Sequence, residues 1–296
     1  MSARDLEPSL FVTFLAVLEE GRISGAARAL HLSQPAVTAQ IRKLEETVGA
    51  TLFLRSSRGV TPTEEGHRLA IHAREVRRTL HAAVNDVSGA RASEGELIVA
   101  ASTTVAAHVL PAMLAHFRAT HPAVSFRLRI GNTDQVLVAV RDGQVPIGMV
   151  EGHGRAAGVR LEPLLDDEIV AVVARDAPFV LRGLADLTNV PLLWREHGSG
   201  TRAVVERALA SAGVKRGRIR SRDLELASTE VILGCASVGL GAAFVSRVSV
   251  ETHLAAGLLR VVPGLGLAVR RTFRWALPSG GLSGLAARFH AQSAPR

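Results

Sequence analysis

The stretch from Ser24 to Glu45, SGAARALHLSQPAVTAQIRKLE, constrains the rest of the chain most. It reads as two short helices around a tight turn. Ser24 caps a first helix in which Ala26, Ala27, Ala29 and Leu30 permit close packing, His31 and Leu32 form the turn, and Ser33 caps the second helix. Pro35 falls in the first turn of that second helix, where no intrahelical N–H bond is lost. Ala36, Ile41 and Leu44 are expected to face inward, while Gln34, Thr38 and Arg42 recur every fourth residue on a polar face. Those three side chains suit base edges: Gln pairs with adenine, Thr touches a base edge or a thymine methyl, and Arg grips guanine or phosphate. A helix entering the major groove N-terminus first would use them in this way. The bland alternative is a two-helix corner in a helical protein.

The flanks carry the pattern further. Leu10, Phe11, Phe14, Leu15 and Leu18 form one helical stripe ending at Gly21, which closes a core beneath the second helix. Leu52 to Leu54 is apolar, and Arg55, Ser56, Ser57, Arg58 and Gly59 follow. This suits a two-stranded wing whose basic tip meets phosphate, with a merely solvated hairpin as the alternative. From Thr63 a long helix begins, in which Leu69, Ala73, Val76, Leu80, Ala83 and Val87 fall at heptad spacing. Such a seam needs either a partner chain or the core of its own domain. His67, His72 and His81 on this helix lack the i, i+4 spacing of metal ligands.

After a Gly/Ser/Ala hinge at 90–96 the pattern changes to strands alternating with helices, the mark of an α/β unit. Leu97–Ala101 is a buried-type strand leading into Ser102, Thr103 and Thr104. Val124, Phe126, Leu128 and Ile130 alternate with polar residues as a strand with one wet face. Gly131, Asn132 and Thr133 then lead into a helix, and IGMVE forms another strand. A second α/β unit begins after Glu162 and Pro163, with strands at Ile169–Ala174 and Pro191–Trp194. Between Trp194 and a helix at Thr201–Ala212 lies REHGSGTR. Its glycines free backbone N–H groups at a helix N-terminus and Ser199, Thr201 and Arg202 add donors, so it is either an anion cradle or a flexible capped turn. Lys215 to Arg222 is a basic run better explained as a solvated face than as a phosphate site. Ser228 and Thr229 cap a further helix, and Cys235 on it reads as a small core residue. Crossings near Pro163 and Gly264 would join the two units across a hinged cleft.

Composition sets limits on function. With 296 residues, 47% of them hydrophobic, the chain can bury two or three cores. A single cysteine excludes an internal disulfide framework and suits a reducing compartment. The net charge of +8 is a poor guide to nucleic acid, because Met1 to Ala90 holds 11 Lys and Arg against 10 Asp and Glu, leaving 24 against 17 beyond. There is no phosphate loop ending in GK[ST], no GxSxG elbow, no HExxH and no paired-cysteine metal site, so no catalytic residue, metal or cofactor is expected. Ser199 with His197 nearby does not make a triad. An exported solute-binding protein would share the cleft but would have no use for a groove-reading helix.

FLAVLEEG at Phe14–Gly21, AARALHLSQPAVTAQIRKLEETVG ending at Gly49, LFLRSSRGVTPTEEG at Leu52–Gly66 and GSGTR at Gly198–Arg202 together resemble a LysR-type transcriptional regulator. The resemblance spans essentially the whole chain. Arg22, where a small hydroxyl residue is common, and Ala39, where a longer polar one is, depart from the pattern. TTVAAHVLP, IGNTDQV and GSGTR are most similar to the members that govern sulfur assimilation or carbon fixation. The resemblance implies an all-α winged helix-turn-helix domain (1–62), a linker and dimerisation helix (63–90) and a periplasmic-binding-protein-like α/β effector domain (91–296). Within the last, subdomain I comprises about 95–162 and 268–296, and subdomain II about 163–267. The expected DNA contacts are Ser24, Ser33, Gln34, Pro35, Thr38, Arg42, Arg55 and Arg58. The expected effector contacts are Ser102, Thr103, Thr104, Thr133, Ser199, Gly200, Thr201 and Arg202. The expected partners are a double-stranded promoter operator, a small oxyanion or carboxylate effector, a second copy through the linker helix with assembly to a homotetramer, and RNA polymerase. No membrane partner is expected, and the polar MSARDLEPS start implies a cytoplasmic protein.

Overall fold

A computed structural model describes residues 6–56, 59–87, 95–152, 154, 156–179, 181–214, 222–263, 265, 267 and 269–293. The chain divides into two compact units, Met1–Ala92 and Ser93–Arg296.

In the first unit, α1 (Pro8–Glu20) ends on Gly21 in the left-handed region, as a helix C-terminus favours. Leu10, Phe11, Phe14, Leu15 and Val17 are buried and Leu18 packs partly against them. Helix α2 spans Ile23–Ala29 and α3 spans Gln34–Val48. Ala26 and Ala27 are buried, which lets α2 lie close to its neighbours, whereas Ala29 is exposed. The turn between them needs a left-handed residue, and His31 supplies it at φ 55°, a region His visits more readily than most side chains. Val37, Ile41 and Leu44 face the core. Val37 thus takes the place expected of Ala36, because Val37, Ile41 and Leu44 are spaced four and three apart on one stripe, from which Ala36 is rotated by about 100°. Strands β1 (Phe53–Ser56) and β2 (Gly59–Pro62) form the antiparallel wing. It is anchored where Glu45 Oε1 accepts the amides of Leu52 at 2.7 Å and Phe53 at 3.3 Å.

Helix α4 covers Glu64–Val87, with Thr63 Oγ1 accepting the Gly66 amide at 3.0 Å. Its heptad seam divides. Ala73 is buried and Leu69 and Val76 pack partly into the core of the first unit, whereas Leu80 and Ala83 are exposed. Core burial therefore accounts for the early seam positions and leaves the later ones uncovered. The side chain of Val87 lies outside the described residues.

The second unit is built on one nine-stranded sheet. Its strands are β3 (Gly95–Ser102), β4 (Val124–Gly131), β5 (Ile147–Glu151), β6 (Val159–Ala174), β7 (Leu192–Arg195), β8 (Leu224–Leu226), β9 (Ala242–Ser246), β10 (Leu259–Val261) and β11 (Val269–Pro278). The order is β4-β3-β5-β11-β6-β9-β7-β8, with β10 beside β6. The β4-β3-β5 and β9-β7-β8 sets are each parallel, and the long antiparallel pair β6/β11 joins them. Strand β6 runs through Pro163 without ending. Instead, the β6/β11 register shifts there, with Arg274 opposite Pro163 and Phe273 opposite Leu165. Pro has no ladder donor to give, so a bulge is where a strand tolerates it.

Helices α5 (Thr103–His108), α6 (Leu110–Thr120), α7 (Thr133–Arg141) and α11 (Gly284–Gln292) flank the first parallel set. There Phe117, Trp275 and Phe289 pack edge to face, with centroids 5.4 and 5.8 Å apart. Helices α8 (Gly200–Ser211), α9 (Thr229–Ser237) and α10 (Arg247–Ala255) flank the second, over Ile232, Leu233 and Val250 on one face and Leu187 and Val205 on the other. Cys235 is half-buried in this packing. Strand β4 departs from its expected pattern. It lies at the sheet edge, so Val124 is buried but Leu128 and Ile130 are 41% and 60% exposed. Residues 215–221 of the basic run lie outside the described residues.

Candidate nucleic-acid interface and effector cleft

Ser33 is the N-cap of α3 and its hydroxyl accepts the Ala36 amide at 3.3 Å. This fixes the helix start and with it the outward row. Gln34, Thr38 and Arg42 line one open surface concavity together with Pro35 and Ala39, and Gln34 and Arg42 are exposed. The next residue round the helix, Gln40, is held inward by the Thr13 hydroxyl. Ser24 does not cap α2. The N-cap is Arg22, in extended geometry, and Ser24 sits half-buried one residue inside the helix. The cause is local: Gly21 turns the chain so sharply that helical geometry resumes by Ile23. Arg55 is exposed on β1, whereas Arg58 falls outside the described residues. Gly59, at φ 137°, lies against the Gly21 carbonyl, which accepts the Val60 amide at 2.9 Å. The wing is thereby tied to the end of α1.

The second unit gathers the predicted hydroxyls. Ser102, Thr104, Thr133, Ser199 and Thr201 are all buried at the ends of β3 and the starts of α5, α7 and α8. Ser199 caps α8, and Asn132 with Gln135 forms a capping box on α7. Two contacts join these turns across the cleft: Asn132 Nδ2 donates to the His197 carbonyl at 3.1 Å, and the Asp134 amide to the Gly198 carbonyl at 3.2 Å. Thr103 receives Arg195 Nη1 at 2.8 Å, and the same nitrogen reaches Thr229 at 2.9 Å. The Thr229 hydroxyl is thus turned toward the cleft, and neither it nor Ser228 caps α9 with its side chain. Arg202 is held by three bonds, to Glu206 at 2.8 Å, Glu225 at 2.7 Å and the Arg195 carbonyl at 3.0 Å, and lines a cavity beside Ser199 and Gly200.

At the centre stands a residue that sequence reasoning passed over. Glu151, the last residue of β5, accepts the Thr104 amide at 3.3 Å, the Thr201 hydroxyl, and Arg271 Nη1 at 2.7 Å. Arg271 Nε also donates to Asp167 at 2.7 Å, and its guanidinium lies 4.8 Å from the Phe273 ring centroid. Burial on its own would raise the Glu151 pKa; Arg271, the Thr201 hydroxyl, Arg195 and Ser102 outweigh it and hold the carboxyl at about 2. Gly200 is required beside it, since a Cβ there would collide with the Glu151 carbonyl and the Thr133 hydroxyl. Thr133, His197, Ser199, Gly200 and Arg207 also line a cavity of about 190 Å³ alongside. The one local sign of Glu151 was a charge closing an apolar strand.

The lysR-family model of bacterial regulatory helix-turn-helix proteins matches residues 9–67, and the LysR substrate binding domain model matches residues 90–294. The chain belongs to the LysR family of transcriptional regulators. This LysR-type regulator is therefore a DNA-binding protein with an effector-binding domain, from a family of regulators rather than enzymes. It is 34% identical over 252 residues to the uncharacterized HTH-type regulator YeiE of Escherichia coli K12, covering 84% of this chain and 83% of YeiE. It is 30% identical to a probable RuBisCO transcriptional regulator of Guillardia theta, covering 87% and 85% of the two chains. It is 33% identical to CysL of Bacillus subtilis, covering 69% of each. Among solved structures it shares its fold with a full-length OxyR variant from Pseudomonas aeruginosa (TM-score 0.75, 21% identity, 97% and 94% covered). Full-length CbnR in complex with its target DNA also has this fold (TM-score 0.61, 23% identity, 98% and 100% covered). No helix among the described residues is long and apolar enough to cross a membrane.

Proposed function

We propose that this LysR-type regulator reads a promoter operator with Gln34, Thr38 and Arg42, uses Arg55 and the wing on phosphate, and is switched by a small anionic effector in the Ser102–Thr104, Thr133 and Ser199–Thr201 cleft. The exposed row on α3, fixed by the Ser33 cap, carries the DNA half of this reading. The solved CbnR–DNA complex, on the same fold, supports it. For the effector half, the support is that the cleft's donors converge on a carboxylate, so their geometry is already that of an anion receptor.

Two copies pair through the uncovered seam of α4, at Leu80 and Ala83, and two such dimers form a tetramer in the cytoplasm that acts on RNA polymerase at the promoter. The effector shifts the population between cleft states, and the linker helices pass that shift on as a change in DNA bending. An effector that binds both states equally changes nothing.

The test is in vitro selection of an operator from random DNA, followed by binding titrations over a range of salt. Gln34→Ala is expected to relax preference at one base position, by about 1–3 kcal/mol of discrimination, whereas Arg55→Ala weakens all sequences alike and lowers the salt slope by about 1. Unaltered base preference in Gln34→Ala, Thr38→Ala and Arg42→Ala together would overturn the reader assignment.

A further inference from the structure

The cleft that is read above as the effector site already holds an anion, and that anion belongs to the chain. Glu151 comes from the first parallel set of strands, Thr201 from the helix that flanks the second, and Arg271 from the strand pair that joins them, so one carboxylate ties all three. The surrounding bonds repeat the arrangement without any added molecule: Arg195 spans Thr103 and Thr229, and the hydroxyls of Thr104 and Thr229 lie 3.5 Å apart. The side chains of Glu151 and Arg271 are 2% and 0% exposed. Among the described residues Arg271 Nη2 is buried with no hydrogen-bond partner, so the guanidinium keeps one nitrogen unspent.

Charge decides what can enter. The ionised groups at the centre are Glu151, Asp167 and Glu196 against Arg195 and Arg271, an excess of one negative charge. A second anion placed beside them would face that excess in a medium where charge interactions are far stronger than in water. Protonation does not relieve it, because the Glu151 carboxyl stays ionised down to a pH of about 2. Departure of a carboxylate from the centre relieves that excess and frees its donors for an incoming anion.

We propose that Glu151 is an internal ligand of the effector cleft: its carboxylate holds the seat of a small anionic effector, and the effector binds by exchange with it. This rests on reading the cleft as the effector site and adds to it the residue that sets the effector threshold. Glu151 keeps the unliganded cleft closed. It also makes affinity for any small carboxylate or oxyanion lower than the donors alone would give, since each must displace a tethered competitor of high effective concentration. The adjoining cavity, whose wall carries Arg202, Arg207 and His197 beside Asp134 and Glu206, has room for the displaced side chain.

The test uses the full-length protein, its Glu151→Ala and Glu151→Gln variants, and Glu96→Ala, which removes an exposed carboxylate paired with Arg127 away from the cleft, as a control. The probes are formate, acetate and sulfite against chloride at constant ionic strength. Calorimetric binding and operator bending on the selected DNA are the readouts. Glu151→Ala is expected to bind formate or sulfite at least 100-fold more tightly than the unaltered protein, and Glu151→Gln at least 10-fold more tightly. Anion-free Glu151→Ala is expected to bend DNA differently, with the added anion restoring the original bend. Glu96→Ala should show no such restoration. Response to formate and acetate but not sulfite would identify a carboxylate as the exchanging group, and the reverse an oxyanion. Equal anion affinity in the unaltered protein and both variants would overturn the internal ligand while leaving the anionic effector standing. Failure of every protein to bind any probe would remove both. Tight binding by Glu151→Ala with no change in DNA bending would reduce Glu151 to a structural ion pair. If Glu151→Ala does not fold, Glu151→Gln alone decides between a gain in affinity and none.

Discussion

Replacing Arg271 by Leu removes the cation that two buried carboxylates share. Glu151 and Asp167 each lie 2.7 Å from its guanidinium, with side chains only 2% and 4% exposed. Breaking a buried pair by removing one partner typically costs about 3–5 kcal/mol, because the surviving charge loses its counter-charge and has no solvent to replace it. The Glu151 carboxyl is held at about 2 against its burial, with Arg271 the largest of the groups that lower it, so the direction agrees. For a unit of roughly 200 residues, the cost of the broken pair lowers Tm by about 6–20 °C. The pH dependence is the sharper test. In the unaltered protein the carboxyl is depressed, so its contribution is complete above the unfolded pKa near 4.5 and is lost only as pH falls toward 2. Without Arg271, burial is less opposed and the folded-state pKa rises. Should it pass the unfolded value, the variant gains relative stability on acidification and loses it as pH rises through the new value. Scanning calorimetry of both proteins at pH 5 and pH 8 is expected to show the larger Tm deficit at pH 8. A deficit equal at both pH values, or below about 1 kcal/mol, would refute the account of the cluster as a paired, ionised network.

Other consequences are more local. Ser33→Ala should destabilise the first unit by about 1 kcal/mol, measured by urea unfolding, and weaken operator binding by loosening the start of α3. Gly59→Ala places a Cβ against the Gly21 carbonyl at a φ that side chains rarely adopt, so about 1–3 kcal/mol of destabilisation and a displaced wing are expected, seen as weaker binding to all DNA sequences alike. Gly200→Ala drives a Cβ into the Glu151 backbone, and faster amide exchange at Thr133 and Glu151 is expected without loss of the DNA-binding fold.

What could be read from the sequence follows the range of the interactions. Ser33, Pro35 and the Gln34/Thr38/Arg42 row act within three turns of one helix, and their placement follows from spacing alone. The hydroxyls at the starts of α5, α7 and α8 were legible for the same reason, since each sits at a strand-to-helix turn. Leu128 and Ile130 misled because alternation shows which residues share a face, whereas their exposure depends on β4 being the last strand of the sheet. Arg202, from GSGTR, lines the adjoining cavity, but its pairing with Glu225 on β8 could not be read from GSGTR, because that partner comes from another element. Glu151 and Arg271 were invisible for a stronger version of that reason. They are separated by 120 positions, and only the antiparallel return of β11 beside β5 brings them together.

The slip in pairing between β6 and β11 gives the effector-binding unit a mechanical character that follows from one imino acid. Leu164 has no counterpart on β11, so a small rotation about this point stretches fewer backbone bonds than the same rotation elsewhere along the two strands. Any motion of the two strand sets is therefore expected to concentrate at this point in the sheet, which amide exchange around Pro163 and Phe273 would test. Giving that position an amide to donate, as Val in place of Pro163 would, is expected to stiffen the sheet there and leave a regulator that still recognises its operator but answers its effector poorly.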